Sequence, residues 1–210
     1  MQFGKILIIL SIFLISEIYG HGKLMQPVNR ASAWRRGFET PVCYDDDQNY
    51  CGSVGVQHGW FHGKCGICGD SFGESRPRPN ENTGIFGQGI IVERYREGQI
   101  IDVISDFTNT HRGFFRFSLC PLRHSRELET EECFIPLKFA NGADRYEMGD
   151  NPPGIYKSQV ILPRGITCRN CVLRWEYIAG NNWGTCEDGN EATGCGPQET
   201  FKTCSDISIQ

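Results

Sequence analysis

Five histidines carry most of the metal and proton-transfer chemistry open to this 210-residue chain. No G-x-S-x-G, P-loop, dinucleotide fingerprint or H-E-x-x-H accompanies them. His58 and His62 stand four apart in "HGWFHGKCG", a spacing that shares one face of a helix, but the flanking glycines favour a loop. His124 follows Pro121 in a charged stretch and reads as solvent-facing. His111, in "TNTHRGFF", directly precedes a strongly patterned strand, at a sandwich edge where loops collect function. A lone histidine there is more often structural than a ligand.

His21 changes that reading. It follows Lys5, an apolar stretch from Ile6 to Ile15 and a small residue, Gly20, the order of a secretory leader. We expect a signal peptide over residues 1–20 and a single domain over 21–210. An uncleaved anchor is the alternative, and Ile18 suits the minus-three position less well than Ala. Cleavage turns His21 into a two-nitrogen chelator, because the new α-amine has an unperturbed pKa of about 8 and sits beside its own ring. One ring nitrogen of His111 would complete a T of three nitrogens, which suits Cu(II) and not tetrahedral zinc.

Eleven cysteines on a secretory route point to disulfides, with an odd thiol left over. Cys65–Cys68 and Cys168–Cys171 have the C-x-x-C spacing of zinc half-sites and stay open as the alternative. The net charge of −4 is mild, which argues against nucleic acid as a partner. No Asn-x-Ser/Thr sequon is present.

The positioning elements read as strands. Residues 21–90 are rich in Gly, Pro, Asn and Cys, the composition of long cross-linked loops. Gly89 to Tyr95 and Gln99 to Phe107 flank "REG" and suggest a hairpin. "FFRFSLC" alternates Phe115, Phe117 and Leu119 against polar residues, the period of a half-buried strand. Residues 156–163, 171–180 and 199–209 give further strands, and 124–133 could form a short helical turn. The sum is an all-β, antiparallel immunoglobulin or fibronectin-III-like sandwich with long disulfide-pinned N-terminal loops. Trp175 and Trp183 read as core or loop-packing residues.

Five motifs in order, "HGKLMQPVNRASAWR", "KCGICGD", "HRGFFRFSLC", "WEYIAGNNWGTCEDG" and "GCGPQETFKTCSDISI", span nearly the whole chain after residue 20. With them the chain resembles a lytic polysaccharide monooxygenase, also described as a chitin-binding type-4 domain, and most closely auxiliary activity family fifteen. The resemblance implies that His21 and His111 brace one copper ion and that Phe201 packs axially without ligating it, so no tyrosine phenol is available there. It makes Glu199 a carboxylate just outside the ligands, able to steer an oxygen species or shuttle protons; a solvated edge charge is the alternative. Cys43 matches the family pattern least well and is the candidate odd thiol. Tyr44 and Tyr50, in "CYDDDQNYC", are candidates for stacking on sugar, or else buried loop aromatics.

The implied activity is oxidative cleavage of insoluble β-1,4-linked polysaccharide, chitin favoured over cellulose and C1 over C4. It needs an external electron donor and hydrogen peroxide or oxygen. The implied protein is secreted and monomeric, with no membrane attachment after cleavage. A non-catalytic chitin-binding protein and a copper carrier are the alternatives from other classes.

Overall fold

Twelve strands form among residues 21–210, which the computed structural model describes. The expected signal peptide lies outside them. In chain order they are β1 (His21–Gln26), β2 (Glu93–Tyr95), β3 (Ile100–Asn109), β4 (Phe114–Leu122), β5 (Ile135–Pro136), β6 (Lys138–Phe139), β7 (Tyr146–Glu147), β8 (Gly154–Ile161), β9 (Cys168–Ile178), β10 (Trp183–Thr185), β11 (Glu191–Thr193) and β12 (Thr200–Ile209). One sheet runs β1-β3-β8-β6; the other runs β2-β12-β9-β4-β5, with β7 also on β4. β10 and β11 make a separate hairpin.

The expected sandwich follows from alternation. Ile101, Val103 and Phe107 of β3 turn inward to meet Phe115, Phe117 and Leu119 of β4 and Leu173, Trp175 and Tyr177 of β9. Phe107 sits at the centre, its ring 5.0 Å from that of Tyr177 and 5.6 Å from that of Trp175. Burying each such ring contributes about 1.5–3 kcal/mol.

β12 is buried along its whole length, because its outward side chains are covered by the N-terminal loops. Ser205 Oγ donates to Pro27 O, the Asn49 carbonyl accepts from Lys202 N, and Arg30 makes two bonds to Asp206 at 2.9 and 2.7 Å. Arg30 also reaches Glu129 at 2.5 Å. The fully buried guanidinium thus has two carboxylates, without which its burial would be prohibitive.

Five disulfides close: Cys51–Cys65, Cys68–Cys204, Cys120–Cys133, Cys168–Cys171 and Cys186–Cys195. Among the described residues Cys43 alone is a free thiol. The zinc alternative falls, since Cys65 and Cys68 bond to different partners and Cys168 bonds Cys171.

Two local expectations need correction, and a third is narrowed. "REG" does not close a hairpin: β2 runs parallel to β12, while β3 pairs with β1 and β8. The chain changes sheet there, because Glu97 N donates to Gln210 O and Gly98 N to Pro163 O, tying the turn to both sheets. Only Glu131–Cys133 of the 124–133 stretch is helical, as one 3-10 turn. His58 lies in a six-residue π-helix, Gly55–Trp60, held by His58 Nε2 against Gln198 O at 3.0 Å and by the Gln57 amide donating to Gly63 O. His62 falls beyond it at φ 52°.

Candidate metal centre

His21 and His111 reach one end of the sandwich by strand register. β1 pairs antiparallel with β3, and His21 lies opposite Asn109, two residues ahead of His111. A ladder irregularity falls between His21 and Gly22, where a bulge re-aims the side chain at the strand end. The Cys43–Cys51 loop flanks this end: Asp47 O accepts from Gly22 N, and Asp47 Oδ2 accepts from Thr108 Oγ1 at 2.9 Å. Lys23 Nζ donates to Asp46 at 2.7 Å, pinning the same loop to β1.

His111 is held by its backbone. Its N–H donates to the Tyr177 hydroxyl at 2.8 Å, the same hydroxyl donates to Arg112 O at 2.9 Å, and Gly180 N donates to His111 O at 2.6 Å. Three successive peptide groups are thereby fixed by β9 and the chain leaving it. The turn into β4 closes through Gly113 at φ 72°, where a Cβ would lie 2.0 Å from Ile178 O; only glycine permits that approach.

Phe201 lies on β12 opposite Tyr177 of β9 and is fully buried. Its ring stacks on Tyr177 at 5.8 Å and on Tyr50 at 6.2 Å. Glu199, one residue before β12, is 5% exposed, so it is not a solvated edge charge. Burial pushes the Tyr177 phenol up to about 12, the Glu199 charge adds to this, and the hydrogen bond from His111 opposes it. Tyr177 therefore stays protonated and can donate to Arg112 O.

The two candidate sugar-stacking tyrosines separate. Tyr44 is 79% exposed, edge-on to Trp34 at 5.6 Å. Tyr50 is half-buried against Phe201. Trp175 is fully buried, as expected, but Trp183 is 65% exposed on β10 and packs into no core. His124 is exposed in its charged stretch. Tyr177 escaped the residue-by-residue reading, although a buried tyrosine needs a partner for its hydroxyl and Tyr177 alternates with Trp175 on one strand face.

The family model described as "Lytic polysaccharide mono-oxygenase, cellulose-degrading" matches residues 21–207. The chain belongs to this family. A solved lytic polysaccharide monooxygenase of family AA15 from Thermobia domestica, in the Cu(I) state, is 44% identical with a TM-score of 0.88; the match covers 90% of this chain and 98% of that one. The structure of the cellulose-active monooxygenase CelS2 in complex with copper is 15% identical, with a TM-score of 0.44 over 90% of this chain and 98% of that one. No curated protein matches.

This monooxygenase is a copper-dependent oxidoreductase, and its own donors suit that metal. The β1–β3 register brings His21 to the strand end that leads to His111, and the imidazole nitrogens these two residues offer are donors that suit copper. Elsewhere among the described residues, Cys68, Glu129 and Cys204 lie within metal-ligand reach of one another. Both sulfurs there are in a disulfide, and Glu129 is taken by Arg30 and the Asn82 N–H, so that group is structural.

Proposed function

We propose that leader cleavage after Gly20 exposes His21 as the first residue of a secreted, monomeric enzyme. Its α-amine and ring, with the His111 ring, hold one copper ion. The enzyme cleaves insoluble β-1,4-linked polysaccharide oxidatively, chitin in preference to cellulose and at C1, preferences that rest on the resemblance to family fifteen. The observation that carries the reading is the β1–β3 register, which brings the residue after Gly20 to the sheet end from which His111 emerges.

Bound copper supplies one-electron redox chemistry between an external electron donor and hydrogen peroxide or oxygen. The chain does the positioning. Tyr177 and Gly180 hold the His111 backbone, so its imidazole meets the metal with little reorganisation. Phe201, buried and stacked on Tyr177, would border the bound metal with carbon and offer it no ligand. Glu199, buried beside Tyr177, offers an oxygen that can accept and return a proton. Tyr44 offers an exposed ring to sugar, whereas the packing of Tyr50 on Phe201 favours its role as a buried support.

N-terminal sequencing and intact mass of the secreted protein should give His21 as residue one, and copper EPR should report nitrogen ligation. Copper-loaded protein should release oxidised oligosaccharides from chitin, and less from cellulose, only with reductant. A chain starting elsewhere would remove the α-amine and overturn the ligand set. Equal soluble product with and without reductant would overturn the activity.

A further inference from the structure

β1 is held on three sides within two residues of His21. On the core side, a Cβ on Gly22 would lie 2.9 Å from Phe107 Cδ1 and 3.1 Å from Trp175 Cη2, so the backbone rests directly on those rings. At the edge, Gly22 N donates to Asp47 O. Lys23 alternates with Gly22 and Leu24 and so faces away from the core, yet it is only 7% exposed, because its Nζ donates to Asp46 Oδ1 at 2.7 Å. Chain termini ordinarily fray unless tied down, and here the ties fall on the two residues that follow His21.

Asp46 is the centre of the outer tie. It is fully buried, and besides Lys23 it accepts from Arg35 Nε at 2.5 Å and Arg35 Nη2 at 3.1 Å. Arg35 belongs to a 3-10 turn, Arg30–Arg36, and its guanidinium lies over the Trp34 ring, 4.4 Å from the ring centre. Trp34 Nε1 in turn donates to Cys43 O at 3.1 Å. One carboxylate thus joins β1, the 3-10 turn and the Cys43–Cys51 loop.

The next residue extends the tie toward the second histidine. Asp47 bonds Gly22 of β1 through its carbonyl and Thr108 of β3 through its carboxylate, and Thr108 stands three residues ahead of His111. Asp46 and Asp47 therefore span the ends of both strands that lead to the histidines. Desolvation offsets most of the attraction in a buried ion pair, so compared with an apolar pair of similar size, Lys23 and Asp46 add placement more than stability. A charge-assisted hydrogen bond fixes direction as well as distance, which an apolar contact between the same segments does not.

We propose that Asp46 is a positioning residue for the copper site. Through Lys23 it sets where the α-amine and ring of His21 stand, and through the adjoining Asp47 it sets the spacing between the ends of β1 and β3. It acts through these neighbours and not as a ligand. This role rests on the reading of His21 and His111 as the copper ligands.

The test uses the mature chain as wild type, Asp46→Asn and the charge-free pair Lys23→Met with Asp46→Leu, with copper titration calorimetry, copper EPR and thermal unfolding on each. Asp46→Asn should bind copper about tenfold more weakly, the low end of the loss when a group supporting a metal ligand is removed, with shifted EPR parameters and a lower unfolding temperature. The charge-free pair separates placement from stability, because apolar partners of similar volume can restore unfolding to near wild type but not the directional bonds. Weaker copper binding and shifted EPR in that folded pair support positioning, whatever its unfolding temperature. Wild-type copper affinity and EPR in either folded variant overturn it. Wild-type protein without a nitrogen-ligated copper signal overturns the ligand reading and this role with it.

Discussion

Tyr177 concentrates several roles in one side chain. Its ring stacks between Trp175 at 6.1 Å and Phe201 at 5.8 Å, and its hydroxyl serves both His111 N–H and Arg112 O. Tyr177→Phe keeps the stack and removes the hydroxyl, leaving a buried donor and acceptor unpaired at a cost of about 1–3 kcal/mol. We expect that loss in denaturant unfolding, together with altered copper EPR parameters or weaker copper affinity. Unmoved spectra would reduce Tyr177 to a packing residue. The histidines were legible as residues, since both stand at positions where strand ends collect function. The hydroxyl was not, because its partners come from a turn 65 residues away.

At the scale of elements, the β3–β4 turn decides where the second histidine goes. Arg112 and Gly113 both have positive φ, at 43° and 72°, and Gly113 packs against the Ile178 carbonyl while its own carbonyl accepts from Met148 N. Gly113→Ala adds αL strain of about 1–2 kcal/mol to a backbone clash the strands cannot relieve. We expect at least about 3 kcal/mol of destabilisation in thermal unfolding, with copper affinity falling because His111 shifts. Ordinary stability in this variant would show that the turn can move. β3, β4, β8, β9 and β12 were legible as strands, β4 from its alternation. β2 was misassigned, because a three-residue strand carries no period and its parallel partner lies over a hundred residues downstream.

Across the whole molecule, the N-terminal loops act as a third layer over β12, joined to it by Cys68–Cys204, a bridge with a sequence separation of 136, and by Arg30. A loop of that length places disulfide stabilisation near the upper end of its range, about 5 kcal/mol. Asp70 in the same layer accepts from the Asn80 N–H at 3.1 Å and from its Nδ2 at 2.7 Å, yet burial outweighs these bonds and raises its carboxyl from 3.8 to about 6. The folded chain therefore keeps a proton over a pH range in which the unfolded chain has released it. Its contribution is fully favourable below about pH 4 and is lost as pH rises to 6. Asp70→Asn, which keeps the accepting oxygen, should gain about 2–3 kcal/mol on wild type between pH 4 and pH 7 in chemical denaturation. Parallel pH profiles would show that the site is better solvated than its packing indicates.

The order of motifs and the alternation of the strands were enough to determine the sandwich class, the disulfide-rich character, the odd cysteine and the pairing of His21 with His111 as candidate ligands. Those properties depend on local chemistry and on patterns written along the chain. Tertiary structure alone decided the disulfide partners, the parallel seat of β2, the burial of Glu199 and Tyr50, and the exposure of Trp183. Each depends on what a distant segment covers, and burial is a property of the packed neighbours, not of the residue's own type.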